Sequence, residues 1–264
     1  MCEILGLTSK RLYNANSLLS AFYTHCQTNA DGWGLAVFRG RGVTMEKEPV
    51  RALDSIYLRH RLSREVLSHN LAAHIRRATV GQVEYANCHP FIWDDDSGRT
   101  WTLIHNGTIF NPGGTCNYAT RQEGSTDSER MHLYIIDRCN ELIRENGTEF
   151  MEIPENRFRL IEDIIDEMSC GNKLNLILYD SEYMYVHTNS PGTLHMVHKD
   201  GVYIFATRPV SSDDITDAEW KPAPMNRLLV YRNGEHVWSG HPHSNEFDES
   251  MYDFISVYSA FAAL

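Results

Sequence analysis

Cys2 directly follows the initiator methionine. Cysteine is small enough for Met1 to be trimmed after synthesis, which would make Cys2 the N-terminus. One residue would then carry a thiol with an unperturbed pKa of about 8.5 and an α-amine of about 8. That is a nucleophile with its own base. Met-Cys also opens many chains by chance, so the pair alone decides nothing. Three further segments carry groups of the right type. Arg76, in His74-Ile75-Arg76-Arg77, follows the apolar Leu71-Ala72-Ala73 and would sit at a strand end. There it could grip a planar carboxylate by two parallel hydrogen bonds, or be one of a solvated surface pair. Asn106-Gly107 closes the run Trp101 to His105. Its side-chain amide and backbone N–H could face a developing oxyanion, although Asn-Gly is also a strong hairpin turn. Asp127 falls in the first turn of a helix and could hold an ammonium or simply complement the helix dipole.

These groups need elements to position them. Residues 3–7, 33–38, 101–105, 174–178, 183–186 and 202–205 mix β-branched and aromatic side chains between Gly, Asn or Asp, and read as strands. Tyr179-Asp180-Ser181-Glu182 joins two of them as a hairpin. Thr126-Asp127-Ser128-Glu129 is a capping box opening a helix whose stripe is Met131, Ile135, Cys139 and Leu142. A second helix from about Asn156 would bury Leu160, Ile164, Ile165 and Met168, and an earlier one spans Ser17 to Tyr23. Strands in clusters with helices set apart predict an α+β layered fold. Asn111 to Ser125, with Pro112-Gly113-Gly114, reads as a long surface loop able to act as a lid. With no repeat and no linker, residues 2–264 are expected to form a single domain.

Composition narrows the function. The 264 residues carry 24 Lys and Arg against 35 Asp and Glu, a net charge of −11 that argues against a nucleic-acid partner. No apolar run approaches the roughly 18 residues of a membrane span. The opening residues Met1-Cys2-Glu3-Ile4 lack a basic stretch and apolar block, so no signal peptide and a cytoplasmic location are expected. The six cysteines form no C-x-x-C pair, which removes zinc-site spacing. Cys26, Cys88, Cys116, Cys139 and Cys170 are therefore expected to be small buried hydrophobes.

The combination is more specific than its parts. Cys2, His74-Ile75-Arg76-Arg77-Ala78-Thr79, His105-Asn106-Gly107-Thr108 and Gly124-Ser125-Thr126-Asp127-Ser128-Glu129 resemble, in this order, the class II glutamine amidotransferases. Asp31-Gly32-Trp33-Gly34 and Asn87-Cys88-His89-Pro90-Phe91 fit the same family. Ala206-Thr207-Arg208-Pro209 with Glu219-Trp220 resembles its stand-alone, YafJ-type members. The resemblance implies a four-layer αββα sandwich of the N-terminal-nucleophile hydrolase type. It implies Cys2 as nucleophile, Asn106 and Gly107 as the oxyanion hole, and Arg76 and Asp127 as binders of the substrate's α-carboxylate and α-ammonium. No metal or organic cofactor is implied, and His74, His89 and His105 are read as structural. The implied reaction is hydrolysis of the γ-carboxamide of glutamine through a γ-glutamyl thioester. Nothing in the chain looks like a synthetase domain or a phosphate-binding Gly-rich loop. Three readings follow: a glutaminase feeding ammonia to a separate acceptor synthetase subunit, a γ-glutamyl hydrolase acting on a peptide or thiol conjugate, and a non-catalytic glutamine-binding protein.

Overall fold

The computed structural model describes residues 2–248 and 250. Met1 and the expected domain end at residue 264 lie outside the described residues. In chain order the first half holds β1 (Glu3–Asn14), α1 (Asn16–Tyr23), β2 (Gly32–Arg39), β3 (Gly42–Glu48) and α2 (Ile56–Leu62). It continues with β4 (Leu67–Arg76), β5 (Phe91–Asp94) and β6 (Thr100–Thr108). The second half opens on three helices, α3 (Asp127–Asn146), α4 (Thr148–Glu152) and α5 (Pro154–Ser169). Strands β7 (Lys173–Tyr179), β8 (Met184–His187), β9 (His195–Lys199) and β10 (Val202–Ala206) follow, then β11 (Lys221–Pro222), β12 (Leu229–Arg232) and β13 (Glu235–Ser239). Among the described residues they form two antiparallel sheets, ordered β11-β9-β10-β1-β4-β2-β3 and β13-β12-β8-β7-β6-β5.

The period-two alternation of the strands explains why there are four layers. On the first sheet Leu5, Leu7, Leu35, Val37, Leu71 and Ala73 point to one side, where Leu18, Leu19 and Phe22 of α1 and Leu58 of α2 cover them. Their neighbours Ile4, Ala36, Phe38 and Ala72 point the other way, onto Ile104, Ile177 and Val186 of the second sheet. The outer face of that sheet, with Leu103, Leu174, Leu176 and Leu178, is covered by α3 and α5 through Met131, Ile135, Leu160 and Ile164. The order is helix, sheet, sheet, helix: the expected αββα sandwich. Both central sheets are apolar on both faces, as double coverage requires.

The expected strands and helices are present, and the hairpin joins β7 to β8. Other features differ from expectation. Edge strand β3 carries Glu46, Lys47 and Glu48, whose charge hides the pattern; Glu48 accepts from the Trp33 indole at 3.0 Å and Glu46 from the Tyr57 hydroxyl at 2.8 Å. Only half of the capping box forms. The Thr126 hydroxyl accepts the Glu129 N–H at 3.2 Å, but the Glu129 carboxylate turns to the N–H groups of Glu123 and Gly124. That anchors one end of the 111–125 segment, while the Tyr118 hydroxyl donates to Asp137 of α3 at 3.0 Å. The segment is thus strapped to α3, not an open lid. Cys116 and Cys170 are exposed rather than buried: Cys116 sits in the short 3-10 helix Gly113–Tyr118 of the surface segment, and Cys170 caps the C-terminal end of α5. No described helix is long and apolar enough to cross a membrane.

The layers also enclose several histidines. His132 of α3 is fully buried, neither ring nitrogen has a partner among the described residues, and burial holds its pKa at about 3. Burial likewise lowers His74 and His187 to about 3. These rings stay neutral in the fold but protonate below pH ~6.5 once the chain unfolds. The unfolded state therefore binds more protons between about pH 6.5 and 3, and stability falls as pH drops through that window. The loss approaches about 1.4 kcal/mol per pH unit for each histidine. Denaturant midpoints measured from pH 7 to pH 4 are expected to fall steeply. His132→Leu should flatten that slope and raise stability at pH 7 by about 1–3 kcal/mol, since it removes an unsatisfied buried polar group. A pH-independent midpoint would contradict this.

Candidate active site

The site lies where β1 begins and β4 ends. Glu3 pairs with Ile75 and Gly32 with Arg76, so antiparallel register sets Cys2 beside the C-terminal end of β4. The Cys2 thiol is half-buried. Its Sγ accepts the Arg77 backbone N–H at 3.3 Å and lies 3.3 Å from the Arg77 carbonyl oxygen, to which the thiol donates. Burial raises the thiol pKa from its usual value; the Arg77 N–H and the charge of Arg76 pull it back, and Asp127 pushes it up. Arg76 and Asp127 therefore both lie within electrostatic reach of the sulfur. Sequence neighbours Arg76 and Arg77 separate sharply: Arg76 is 2% exposed, while Arg77 is exposed and lines the cleft at Cys2.

Asn106 and Gly107 are not a hairpin turn. Both lie inside β6, opposite Asn175 and Leu174 of β7. Asn106 lines the same cleft of about 310 Å³ as Cys2. Its side-chain amide donates to the Thr207 hydroxyl at 3.3 Å, and that hydroxyl accepts the Ile4 N–H at 3.0 Å. Thr207 thus ties the amide on the second sheet to the strand that carries Cys2 on the first. Gly107 answers to packing as well: a Cβ there would run into the Lys173 carbonyl and the His105 ring. His105 is held by the Ser128 hydroxyl at 2.9 Å and the Lys173 carbonyl at 3.2 Å. His74 and His89 stack with ring centroids 4.1 Å apart, and burial lowers the pKa of both.

Arg76 donates from Nη2 to the carbonyl of Val80 at 3.0 Å and that of Gly81 at 3.4 Å, which fixes the guanidinium. Its Nη1 has no partner among the described residues. Asp127, the first residue of α3, accepts the Ile109 N–H on Oδ2 at 2.8 Å and the Ser128 N–H on Oδ1 at 2.9 Å. The helix-dipole role and a place near the thiol are therefore compatible. Arg76, Asp127 and Gly107 do not themselves line the cleft that Cys2 and Asn106 share.

Sequence reasoning passed over Glu3. Its carboxylate is buried, faces His25 Nδ1 at 2.9 Å, accepts from Asn29 Nδ2 at 3.3 Å, and pairs with Arg208. Asn29 and Arg208 both line the cleft, so Glu3 orders two of its walls. An acidic residue opening an otherwise apolar strand was the available signal. Asp31, of the Asp31-Gly32-Trp33-Gly34 segment, accepts the Ala78 N–H at 2.7 Å and joins the segment before β2 to the loop after β4.

A cysteine just ahead of β1, an asparagine amide from the facing sheet and a buried arginine on the strand next to β1 are thus brought to one end of an αββα frame. The sequence profile of the class II glutamine amidotransferases matches residues 1–200, and the chain belongs to this family of enzymes. It is 27% identical to a candidate glutamine amidotransferase of Haemophilus influenzae over 90% of this chain and 86% of that one. Identity to YafJ of Escherichia coli, also a candidate glutamine amidotransferase, is 26% over 78% of this chain and 80% of that one. Among solved structures, a candidate glutamine amidotransferase from Pseudomonas aeruginosa superposes with a TM-score of 0.58 at 21% identity, over 90% of this chain and all of that one. The Bacillus subtilis glutamine phosphoribosylpyrophosphate amidotransferase shares the fold with a TM-score of 0.66 at 16% identity, over 93% of this chain. The match covers half of that enzyme's length.

Proposed function

We propose that this chain hydrolyses the γ-carboxamide of glutamine, with Cys2 as nucleophile once Met1 has been removed. The observation that carries the reading is the shared cleft of Cys2 and Asn106, with the fixed guanidinium of Arg76 on the neighbouring strand. The freed α-amine of Cys2 takes the thiol proton, and Sγ attacks the amide carbon. Charge moves to the oxygen, which the Asn106 amide and the Gly107 N–H stabilise. The C–N bond breaks as the α-ammonium returns the proton to the leaving nitrogen, giving ammonia and a γ-glutamyl thioester. Water, deprotonated by the same amine, attacks the thioester; the C–S bond breaks, the thiol regains its proton and glutamate leaves. Arg76 pairs with the α-carboxylate and Asp127 with the α-ammonium. Neither a metal nor an organic cofactor enters these steps. Ammonia passes to an acceptor enzyme on a separate subunit.

A second reading uses the same parts. The cleft, about 310 Å³ and open to solvent, leaves room beside Cys2 for a leaving amine larger than ammonia. A γ-glutamyl peptide or thiol conjugate would react by the same two steps. Glutamate release from glutamine and from γ-glutamyl amides, assayed side by side, ranks the two substrates. A diazoketone analogue of glutamine should add covalently to Cys2, detected as a mass increase on the N-terminal peptide. Asn106→Ala should lower kcat by about 10²–10³, or about 2.7–4 kcal/mol, with little change in KM. Full activity in that variant would remove Asn106 from the oxyanion hole.

A further inference from the structure

The opposite end of the sandwich holds a second cavity, about 840 Å³, more than twice the volume of the Cys2 cleft at about 310 Å³. Arg99, on its wall, immediately precedes β6 and lies seven residues before Asn106, a separation of about 23 Å in extended chain. Both sheets contribute to the wall: Arg39 ends β2, Asn70 lies near the start of β4, and Tyr179 and Arg232 end β7 and β12.

Charge sets this cavity apart from the rest of the chain. Four arginines line it, Arg39, Arg41, Arg99 and Arg232, against two carboxylates, Glu152 and Glu182. The carboxylates are shared. Glu152 meets Arg99 at 3.1 Å and Arg41 at 3.9 Å, while Glu182 meets Arg232 at 3.0 Å and Arg99 at 3.9 Å. Glu182 also accepts from Arg157 at 2.9 Å, but Arg157 is matched by its own buried partner Asp180 at 2.7 Å. Arg39 is exposed and pairs with nothing among the described residues. Two positive charges are left over, on a protein whose net charge is −11.

The cavity also has a fixed floor. Arg99 is 8% exposed and its Nε has no partner; Asn70 is 4% exposed and its Oδ1 accepts nothing among the described residues. Asn70 is nonetheless oriented, because its Nδ2 donates to Asn233 Oδ1 at 2.8 Å. A buried acceptor awaiting a donor, beneath guanidinium groups in excess by two charges, calls for a dianion attached to a body bearing a hydroxyl or amine. A phosphate monoester is close to dianionic at neutral pH and matches the arginine fork.

We propose that this cavity is a binding site for a small organic phosphate, remote from the Cys2 cleft and independent of the amide chemistry there. Titration calorimetry with adenosine monophosphate, glucose 6-phosphate and inorganic phosphate, at constant ionic strength set by chloride, tests it. At least one ester is expected to bind saturably, and more tightly than inorganic phosphate. The double variant Arg39→Gln with Arg41→Gln should weaken that binding at least tenfold. Both side chains are exposed and outside the active site, so its melting temperature and glutamate release should match the parent's. Binding by inorganic phosphate as tight as by either ester would overturn the organic-phosphate assignment. Equal ester affinity in parent and double variant, or heats no larger than those of chloride, would overturn the site itself.

Discussion

Cys2→Ala is expected to abolish glutamate and ammonia release while leaving the fold intact. The size of the effect follows from the absence of a second nucleophile in the proposed route: with no sulfur there is no thioester. Removing the attacking group in a comparable hydrolase lowers kcat by about 10⁶. The cost to stability is small, because among the described residues the half-buried Sγ makes two hydrogen bonds, both 3.3 Å long and both to the Arg77 backbone. These are weak sulfur hydrogen bonds, and their loss should cost no more than about 1 kcal/mol. Protein that retains Met1, prepared with methionine aminopeptidase inhibited, should be equally inactive, since an amide nitrogen cannot take the thiol proton. Intact mass identifies the processed fraction, and turnover should scale with it. Turnover in Cys2→Ala, or in fully unprocessed chain, would defeat the proposed chemistry.

Arg157→Met is expected to lower stability by about 3–5 kcal/mol, the scale for breaking one side of a buried ion pair. Arg157 of α5 and Asp180 of the β7–β8 turn are both fully buried, 2.7 Å apart. Asp180 also accepts the N–H groups of Glu182 at 2.9 Å and Tyr183 at 2.6 Å, and the Tyr185 hydroxyl at 2.7 Å. It thus fastens the hairpin of the second sheet to the helix layer. Methionine fills much of the volume but leaves the carboxylate charged and buried. Against a typical total of about 5–15 kcal/mol, that loss is severe. Adding Asp180→Asn should restore part of it, because the hairpin N–H bonds survive without the unpaired charge. Urea midpoints of the two variants and the parent measure both effects. A single variant as stable as the parent would show that the pair contributes nothing.

Several parts of the site were legible from residue order alone. Cys2 had to head a strand because Ile4, Leu5 and Leu7 are apolar immediately after it, and the Thr126 cap set the start of α3 and so the place of Asp127. The apolar run Leu71-Ala72-Ala73 likewise led toward a strand end at Arg76. Other features could not be read this way. Edge strands such as β3 have one bare side and carry charge, so their pattern is weak. Asn106-Gly107 has the composition of a turn, and only pairing with β7 keeps it in a strand. Of the adjacent arginines, Arg76 is the last residue of β4 and buried while Arg77 lies just past the strand and is exposed, a difference set by where pairing of β4 stops.

Local chemistry is encoded within a few residues, and the sequence therefore determined the strand periods, the helix cap and the identity of the chemically able groups. Distances between groups far apart in the chain are set by how layers stack. That is why the bridge from Asn106 through Thr207 to Ile4, the buried Glu3 that orders the cleft walls, and the arginine-lined cavity at the far end were decided only by the tertiary structure. Each joins segments that share no local signal and meet only because two sheets must bury their apolar faces against one another.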